Sequence, residues 1–304
     1  MELIFLGTGA GMPSKERNVT SVALNLMAER NSFWLFDCGE ATQHQILHTQ
    51  VKLGRIEKIF ITHLHGDHLF GLPGLLGSRS MSGSTEPLTL YGPTGIKAFI
   101  ESALSLSGSY LTYPLDIVEI QPGLVFKDAQ IEVSTLPLTH GIASFGYRIE
   151  ESDKPGTLDA ARLIAEGITP GPLFQRLKSG ESVTLDNGQI INGQDYIGPN
   201  QKGKSIAIFG DTTPTELGPQ LAAGVDVMVH ETTLEASMAE QANSRGHSTT
   251  HQAAELAKQA GVKKLIITHF SGRYDRDECQ RLLAECRTIF PATDAAYDLG
   301  VFEI

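Results

Sequence analysis

The segment His63-Leu64-His65-Gly66-Asp67-His68 places three imidazoles and a carboxylate in one short stretch of chain. It follows the β-branched and apolar run Lys58–Thr62, which predicts a buried strand. On an extended segment residues i and i+2 point the same way, so His63 and His65 can face one metal ion. Asp67 and His68 fall at the following turn, where they can reach a second ion. Neutral imidazole and carboxylate are good zinc ligands, and a catalytic site keeps one position open for water.

Further donors stand at strand ends. His140 comes after Thr135-Leu136-Pro137-Leu138-Thr139, Asp211 after Ile206-Ala207-Ile208-Phe209-Gly210, and His269 closes Leu265–Thr268. Singly, each reads as a residue that caps a turn. With the first motif they complete two coordination spheres. A shared carboxylate such as Asp211 can bridge two ions about 3.5 to 4 Å apart, the arrangement that generates hydroxide and clamps a phosphoryl group. Three other patterns do not carry chemistry. Gly7, Gly9 and Gly11 follow a strand, but a dinucleotide fingerprint needs its third glycine where Met12 stands. His44 and His48 have zincin spacing, but Gln45 occupies the place of the glutamate base, so they read as a wet helix face. Cys279 and Cys286 read as buried thiols, since no second cysteine pair exists.

Short apolar strands alternate with amphipathic helices, the pattern of a layered α/β protein. The predicted strands are Leu3–Leu6, Ser32–Phe36, Lys58–Thr62, Leu88–Tyr91, Ile131–Thr135, Phe145–Ile149, Ser205–Phe209, Val225–His230, Leu265–Thr268 and Gly300–Ile304. Thr249 and Gln252 form a capping box before a helix over His251–Ala260, with Gly261 at its C-terminal cap. Lys58–His63 and Lys264–His269 repeat one logic, a buried strand ending in Thr-His, as two related halves delivering a histidine to one edge of a sandwich. Between Glu150 and Lys204 the periodicity fades and Gly, Pro and Asp accumulate. So long an irregular connection predicts an inserted functional arm over 151–204 within a single domain of 1–304, the alternative being a second small domain.

Composition narrows the function classes. The chain has 304 residues, a net charge of -11 and 41% hydrophobic residues, enough to build a core without disulfides and too apolar for disorder. Three cysteines, Cys38, Cys279 and Cys286, predict reduced thiols in a cytoplasmic protein. Met1–Gly7 lacks the basic region of a signal peptide, and no apolar run suffices for a bilayer, so no membrane is expected. The acidic balance argues against a protein that holds nucleic acid, DNA included, by bulk electrostatics.

H-x-H-x-D-H followed by a distant His, Asp and His resembles the metallo-β-lactamase superfamily. Further motifs resemble one branch of it, the ribonuclease Z/ribonuclease BN family. Pro13-Ser14-Lys15-Glu16-Arg17-Asn18 is similar to its P-x-K-x-R-N loop, His247-Ser248-Thr249 to its H-S-T motif and Ala296-Tyr297-Asp298-Leu299 to its A-x-D-L motif. Gly171-Pro172 through Leu177-Lys178-Ser179-Gly180 is similar to its substrate-binding arm. His230-Glu231-Thr232-Thr233 departs from the usual H-E-A-T, and Ala41 replaces a common glycine.

The resemblance implies an αβ/βα sandwich with an inserted arm that binds tRNA. It implies two Zn2+ ions per subunit, the first held by His63, His65, His140 and Asp211 and the second by Asp67, His68, Asp211 and His269; manganese or iron would suit the same donors. The implied activity is a phosphodiesterase that removes the 3′ trailer from precursor tRNA, with 3′ exoribonuclease trimming as a second mode. In it Asp67 orients the attacking hydroxide and accepts its proton, while His247, aligned by Glu231, protonates the departing ribose 3′-oxygen. Lys15, Arg17, Asn18 and Arg273 would contact substrate, and a homodimer would let one subunit's arm serve the other's site. The rivals are a small-molecule hydrolase of the superfamily, of thioesterase or lactamase type, and a non-catalytic RNA-binding relative. Given the net charge of -11, metals and a few placed basic residues would hold the RNA, so affinity should depend only shallowly on salt.

Overall fold

Ser32-Phe33-Trp34-Leu35-Phe36 buries every side chain, so this strand must be covered on both faces. The computed structural model, which describes residues 1–304, covers such strands by pairing two seven-stranded sheets flanked by helices. In chain order the first sheet uses β1 (Glu2–Gly7), β2 (Ser21–Leu26), β3 (Ser32–Phe36), β4 (Ile56–Phe60), β5 (Leu88–Gly92) and β6 (Leu115–Glu119). The second uses β7 (Gly123–Lys127), β8 (Ile131–Leu138), β9 (Ser144–Glu151), β10 (Ser205–Ile208), β11 (Val227–Glu231), β12 (Lys264–Thr268) and β13 (Thr293–Ala295), and β14 (Val301–Glu303) returns to the first. The spatial orders are β14-β1-β2-β3-β4-β5-β6 and β13-β12-β11-β10-β9-β8-β7. Strands β3 to β6 run parallel, as do β10 to β13, so their C-terminal ends share an edge within each sheet.

Period-two alternation sets what each face buries. Phe36 and Phe60 stack with centroids 5.0 Å apart on the inner face, and Tyr147 of β9 meets Phe60 edge-on at 5.4 Å while its hydroxyl donates to the Ile61 carbonyl at 2.7 Å. Ile59 and Ile61 point the other way, onto α1 (Leu72–Met81) and α2 (Ile96–Leu106). Met228, Leu265 and Ile267 likewise meet α3 (Thr250–Ala260) and α4 (Arg276–Ile289). The Thr249–Gln252 capping box is formed, and Gly261 ends α3 at φ 66°, the left-handed cap that glycine adopts without strain.

The ten expected strands all occur, with shifted ends. The strand before His63 stops at Phe60 because Asp37, not a neighbouring strand, takes the Thr62 N–H. Strands β2, β6, β7 and β13 were not legible. β6 and β7 are partly exposed and carry charge, and β2 runs directly into Met27–Arg30 without a turn signal. Residues Glu150–Lys204 with Ala129–Ile131 form a separate unit with its own core of Leu163, Ile168, Leu177, Val183, Ile191 and Tyr196. Its helices, Ala160–Ala165 and Pro172–Lys178, and its hairpin, Ser182–Thr184 with Ile190–Asn192, are each too short to leave a clear period in sequence. No helix of the chain is long and apolar enough to cross a membrane.

Candidate metal centre

Asp37 leaves the C-terminal end of β3 at φ 59°, a backbone conformation unusual for any residue but glycine. Its carboxylate accepts the Thr62 N–H at 2.7 Å, the Thr62 hydroxyl at 2.8 Å and His68 Nδ1 at 2.7 Å. Thr62 Oγ1 lies 2.9 Å from His63 Nδ1. One carboxylate therefore turns the Nε2 atoms of two imidazoles toward a common centre, the usual support of a metal-ligating histidine. Nothing in the sequence distinguished Asp37 except that a lone acid follows an unbroken buried strand. Asp67 opens the short helix Gly66–Leu69 and accepts the Gly11 N–H at 2.7 Å.

Across the centre, His140 Nδ1 bonds the Gly246 carbonyl at 2.7 Å, leaving Nε2 3.1 Å from His65 Nδ1. Asp211 is buried, with its carboxylate 3.7 Å from His63 Nε2, 3.5 Å from His68 Nε2 and 3.4 Å from His269 Nε2. All seven residues expected as ligands converge. His63, His65 and His140 form one group, Asp67, His68 and His269 another, and Asp211 joins His63 and His68. The Thr-His ends of the two segments thus reach one carboxylate from different sheets, His63 and His269 both facing Asp211, and His68 Nε2 stands 3.3 Å from His269 Nε2.

The donor chemistry suits a divalent cation. His63 Nε2 is buried and has no hydrogen-bond partner, an arrangement that costs free energy unless something fills it. Burial and the adjacent His68 push His63 down to about 2, so it presents a neutral lone pair. Burial opposes ionisation of Asp211, but the imidazoles of His269, His68 and His63 outweigh it and hold the carboxyl well below its usual range. Asp67 is held low in the same way, burial being outweighed by bonds to His269 and His68. Burial works against a charged His68, yet Asp211 and Asp37 raise it well above the usual imidazole value. The carboxylates demand positive charge here.

Glu231, at the end of β11, is fully buried and fully engaged. Oε1 accepts the N–H groups of Thr212 and Ser248 and faces His247 Nδ1, each at 3.1 Å. Oε2 accepts the Thr233 hydroxyl at 2.7 Å. Burial alone would depress His247, but its bond to Glu231 and that carboxylate's charge lift it to about 9. Thr233 Oγ1 also sits 2.9 Å from His269 Nδ1, tying the Glu231–His247 pair to the metal cluster. Sequence reasoning named Thr233 only within the His230–Thr233 motif and gave it no role, since its link to His269 spans 36 residues.

A cavity of about 240 Å³ opens beside the cluster, lined by Asp67, His247 and the guanidinium-bearing Arg245 and Arg273. Arg273 was expected there and Arg245 was not, although it stands two residues before His247. The structure places Arg17 and Asn18 elsewhere. Arg17 donates to the Tyr274 carbonyl at 2.7 Å and to Cys279 Sγ at 2.9 Å, with its guanidinium 5.4 Å from the Phe270 ring centre. Asn18 donates from Nδ2 to the Glu40 carbonyl at 2.7 Å and from its N–H to Asp298 at 2.6 Å. Asp298 also accepts the Thr8 hydroxyl at 2.7 Å, so the A-x-D-L carboxylate binds two loops together. Lys15 is exposed. His44 is exposed and His48 likewise, and all three cysteines are free and buried, which pushes their thiols up to about 11 or 12.

Two packed mixed sheets, helices outside and a His/Asp cluster at strand ends define a metallo-β-lactamase-fold protein. A metallo-β-lactamase fold protein from Bacillus subtilis superposes with a TM-score of 0.68 over 100% of this chain and 99% of that one, at 18% identity. The chain belongs to the ribonuclease BN family: it is 65% identical to the ribonuclease BN of Erwinia tasmaniensis over 99% of both chains. The crystal structure of human tRNase Z, short form, matches with a TM-score of 0.73 and 31% identity, covering 100% of this chain and 99% of that one. A family model described as anti-Pycsar protein Apyc1 matches residues 1–150.

Proposed function

We propose that this protein is a metal-dependent endoribonuclease that removes the 3′ trailer from precursor tRNA. The observation that carries it is the convergence of the seven His and Asp donors, among them the unpartnered His63 Nε2, with the buried Glu231–His247 pair alongside, in a chain of the ribonuclease BN family. His63, His65, His140 and Asp211 would hold one ion, and Asp67, His68, Asp211 and His269 a second. Divalent ions at such positions supply Lewis acidity and lower the pKa of water into the neutral range.

The chain's own residues do the rest. Asp67, steadied by the Gly11 N–H, orients the attacking water and takes its proton. Glu231 engages His247 at Nδ1, so that Nε2 remains to hand a proton to the departing ribose 3′-oxygen. Arg273, at the cavity mouth, contacts phosphate, and Arg245 stands with it. Lys15 of the exposed loop meets the acceptor end.

The fuller proposal is a cytoplasmic homodimer with two Zn2+ ions per subunit, in which the unit over 151–204 is the tRNA-binding arm. Three free thiols support a reducing compartment, and the imidazole-and-carboxylate donor set accommodates zinc. The test is product mapping at nucleotide resolution on 3′-extended precursors with and without an encoded CCA. The expected product is mature-length tRNA ending in a 3′-hydroxyl, with the 5′-phosphate on the released trailer. A 3′-phosphate on the tRNA would exclude this chemistry.

A further inference from the structure

Strands β3 and β4 bring Asp37 and His63–His68 to the metal cluster beyond their C-terminal ends, and β5 runs parallel beside them. At the opposite edge, where the same strands begin, Arg30, Arg55, Lys58, Arg79 and Thr89 line a cavity of about 420 Å³. Four cationic side chains line it against two carboxylates, Glu57 and Glu86, in a chain of net charge -11.

Arg79 is the anomaly in this lining. It is completely buried on α1, and no carboxylate pairs with it. Nε donates to the Leu53 carbonyl at 3.2 Å and Nη2 to the Glu86 carbonyl at 2.9 Å, while the guanidinium lies over the Tyr113 ring, 4.0 Å from its centre. Nη1 has no partner at all. The charge of Glu86 reaches it without pairing with it, and a buried guanidinium with an idle donor is unfavourable unless an acceptor completes it.

Of the two acids, Glu57 is already engaged. Glu57 accepts Arg30 Nη2 at 2.9 Å, Ser32 Oγ and Trp34 Nε1 at 3.0 Å, and lies 3.3 Å from Lys58 Nζ. Arg30 is further neutralised by Asp128 at 2.7 Å. Arg55 is exposed at the rim with no ion-pair partner, and Glu86 is the one carboxylate left to face it.

We propose that this cavity is an anion site, separate from the metal centre, that takes the dianionic phosphate group of inorganic phosphate or of a nucleoside monophosphate, with Arg55 as its exposed donor and Arg79 as the buried positive charge beneath it. Guanidinium forks match phosphate oxygens in pairs, and the volume fits one nucleotide.

The test is calorimetric titration of the metal-loaded, full-length protein with inorganic phosphate and, separately, with 5′-CMP. Because a metal centre also takes phosphate, the wild type is expected to bind two per chain. Arg55→Glu is expected to weaken one of them at least tenfold while precursor tRNA is cleaved at the wild-type rate. Arg79→Met should do the same, and Arg55→Glu decides alone should the buried substitution not fold. Tighter binding of 5′-CMP than of phosphate at the Arg55-sensitive site supports a nucleotide ligand, and equal binding supports free phosphate. One phosphate per wild-type chain, or two that Arg55→Glu leaves unchanged, overturns the proposal.

Discussion

Asp37→Asn isolates what the second layer of the site contributes. The native carboxylate accepts three hydrogen bonds, from Thr62 N at 2.7 Å, Thr62 Oγ1 at 2.8 Å and His68 Nδ1 at 2.7 Å. Asparagine keeps one oxygen for the Thr62 N–H but turns an NH2 toward His68. His68 must then accept at Nδ1 and carry its hydrogen on Nε2, which faces Asp67 at 3.4 Å and Asp211 at 3.5 Å. An imidazole protonated at that nitrogen is not a ligand. Restoring the ligating form against an unfavourable contact should lower metal affinity about 10- to 100-fold, roughly 1.4 to 2.7 kcal/mol. The assay is competition for zinc against a chelator of known affinity, with urea unfolding of the metal-free protein to show that the fold persists. Wild-type zinc affinity in a folded Asp37→Asn variant would refute the claim that Asp37 sets the tautomer of His68.

Three further outcomes follow from backbone and packing. Ala41 sits at φ 58°, so Ala41→Gly should raise unfolding free energy by up to about 1 kcal/mol in urea titration, and any loss would contradict the strain. Gly246 has φ 82°, and a Cβ there would lie 2.5 Å from His140 Nδ1; Gly246→Ala should cut precursor cleavage about 10- to 100-fold and reduce bound metal, whereas normal activity would show that His140 need not be held so closely. Arg17→Ala removes bonds to Tyr274 and Cys279 and should cost about 1 to 3 kcal/mol in thermal or urea unfolding with KM for precursor tRNA little changed. A raised KM at unchanged stability would instead put Arg17 on the substrate.

What could be read from the sequence was local. His63, His65, Asp67 and His68 announce themselves because the metal needs them adjacent, and His140, Asp211 and His269 because each ends a recognisable apolar strand. Asp37 and Thr233 escaped because their partners, His68 and His269, are 31 and 36 residues away, and nothing near them in the chain marks that pairing. Arg17 shows the converse: a basic residue in a polar loop reads as solvent- or substrate-facing, and only the fold brings Phe270 and Tyr274 against it. The same holds for Arg79, which periodicity places on a helix without revealing that its guanidinium ends against Tyr113 with Nη1 unpartnered. Strand β6 was hidden because an edge strand need not be apolar on both faces.

The proposed activity requires that the His/Asp cluster hold the metal that cleaves RNA. Its most direct test is a paired measurement of metal content and 3′-trailer cleavage for the wild type and the Asp67→Ala, His68→Ala double variant. The wild type should retain divalent metal and release the trailer, and the folded double variant should lose metal and cleave no precursor. Full cleavage by the double variant would contradict it.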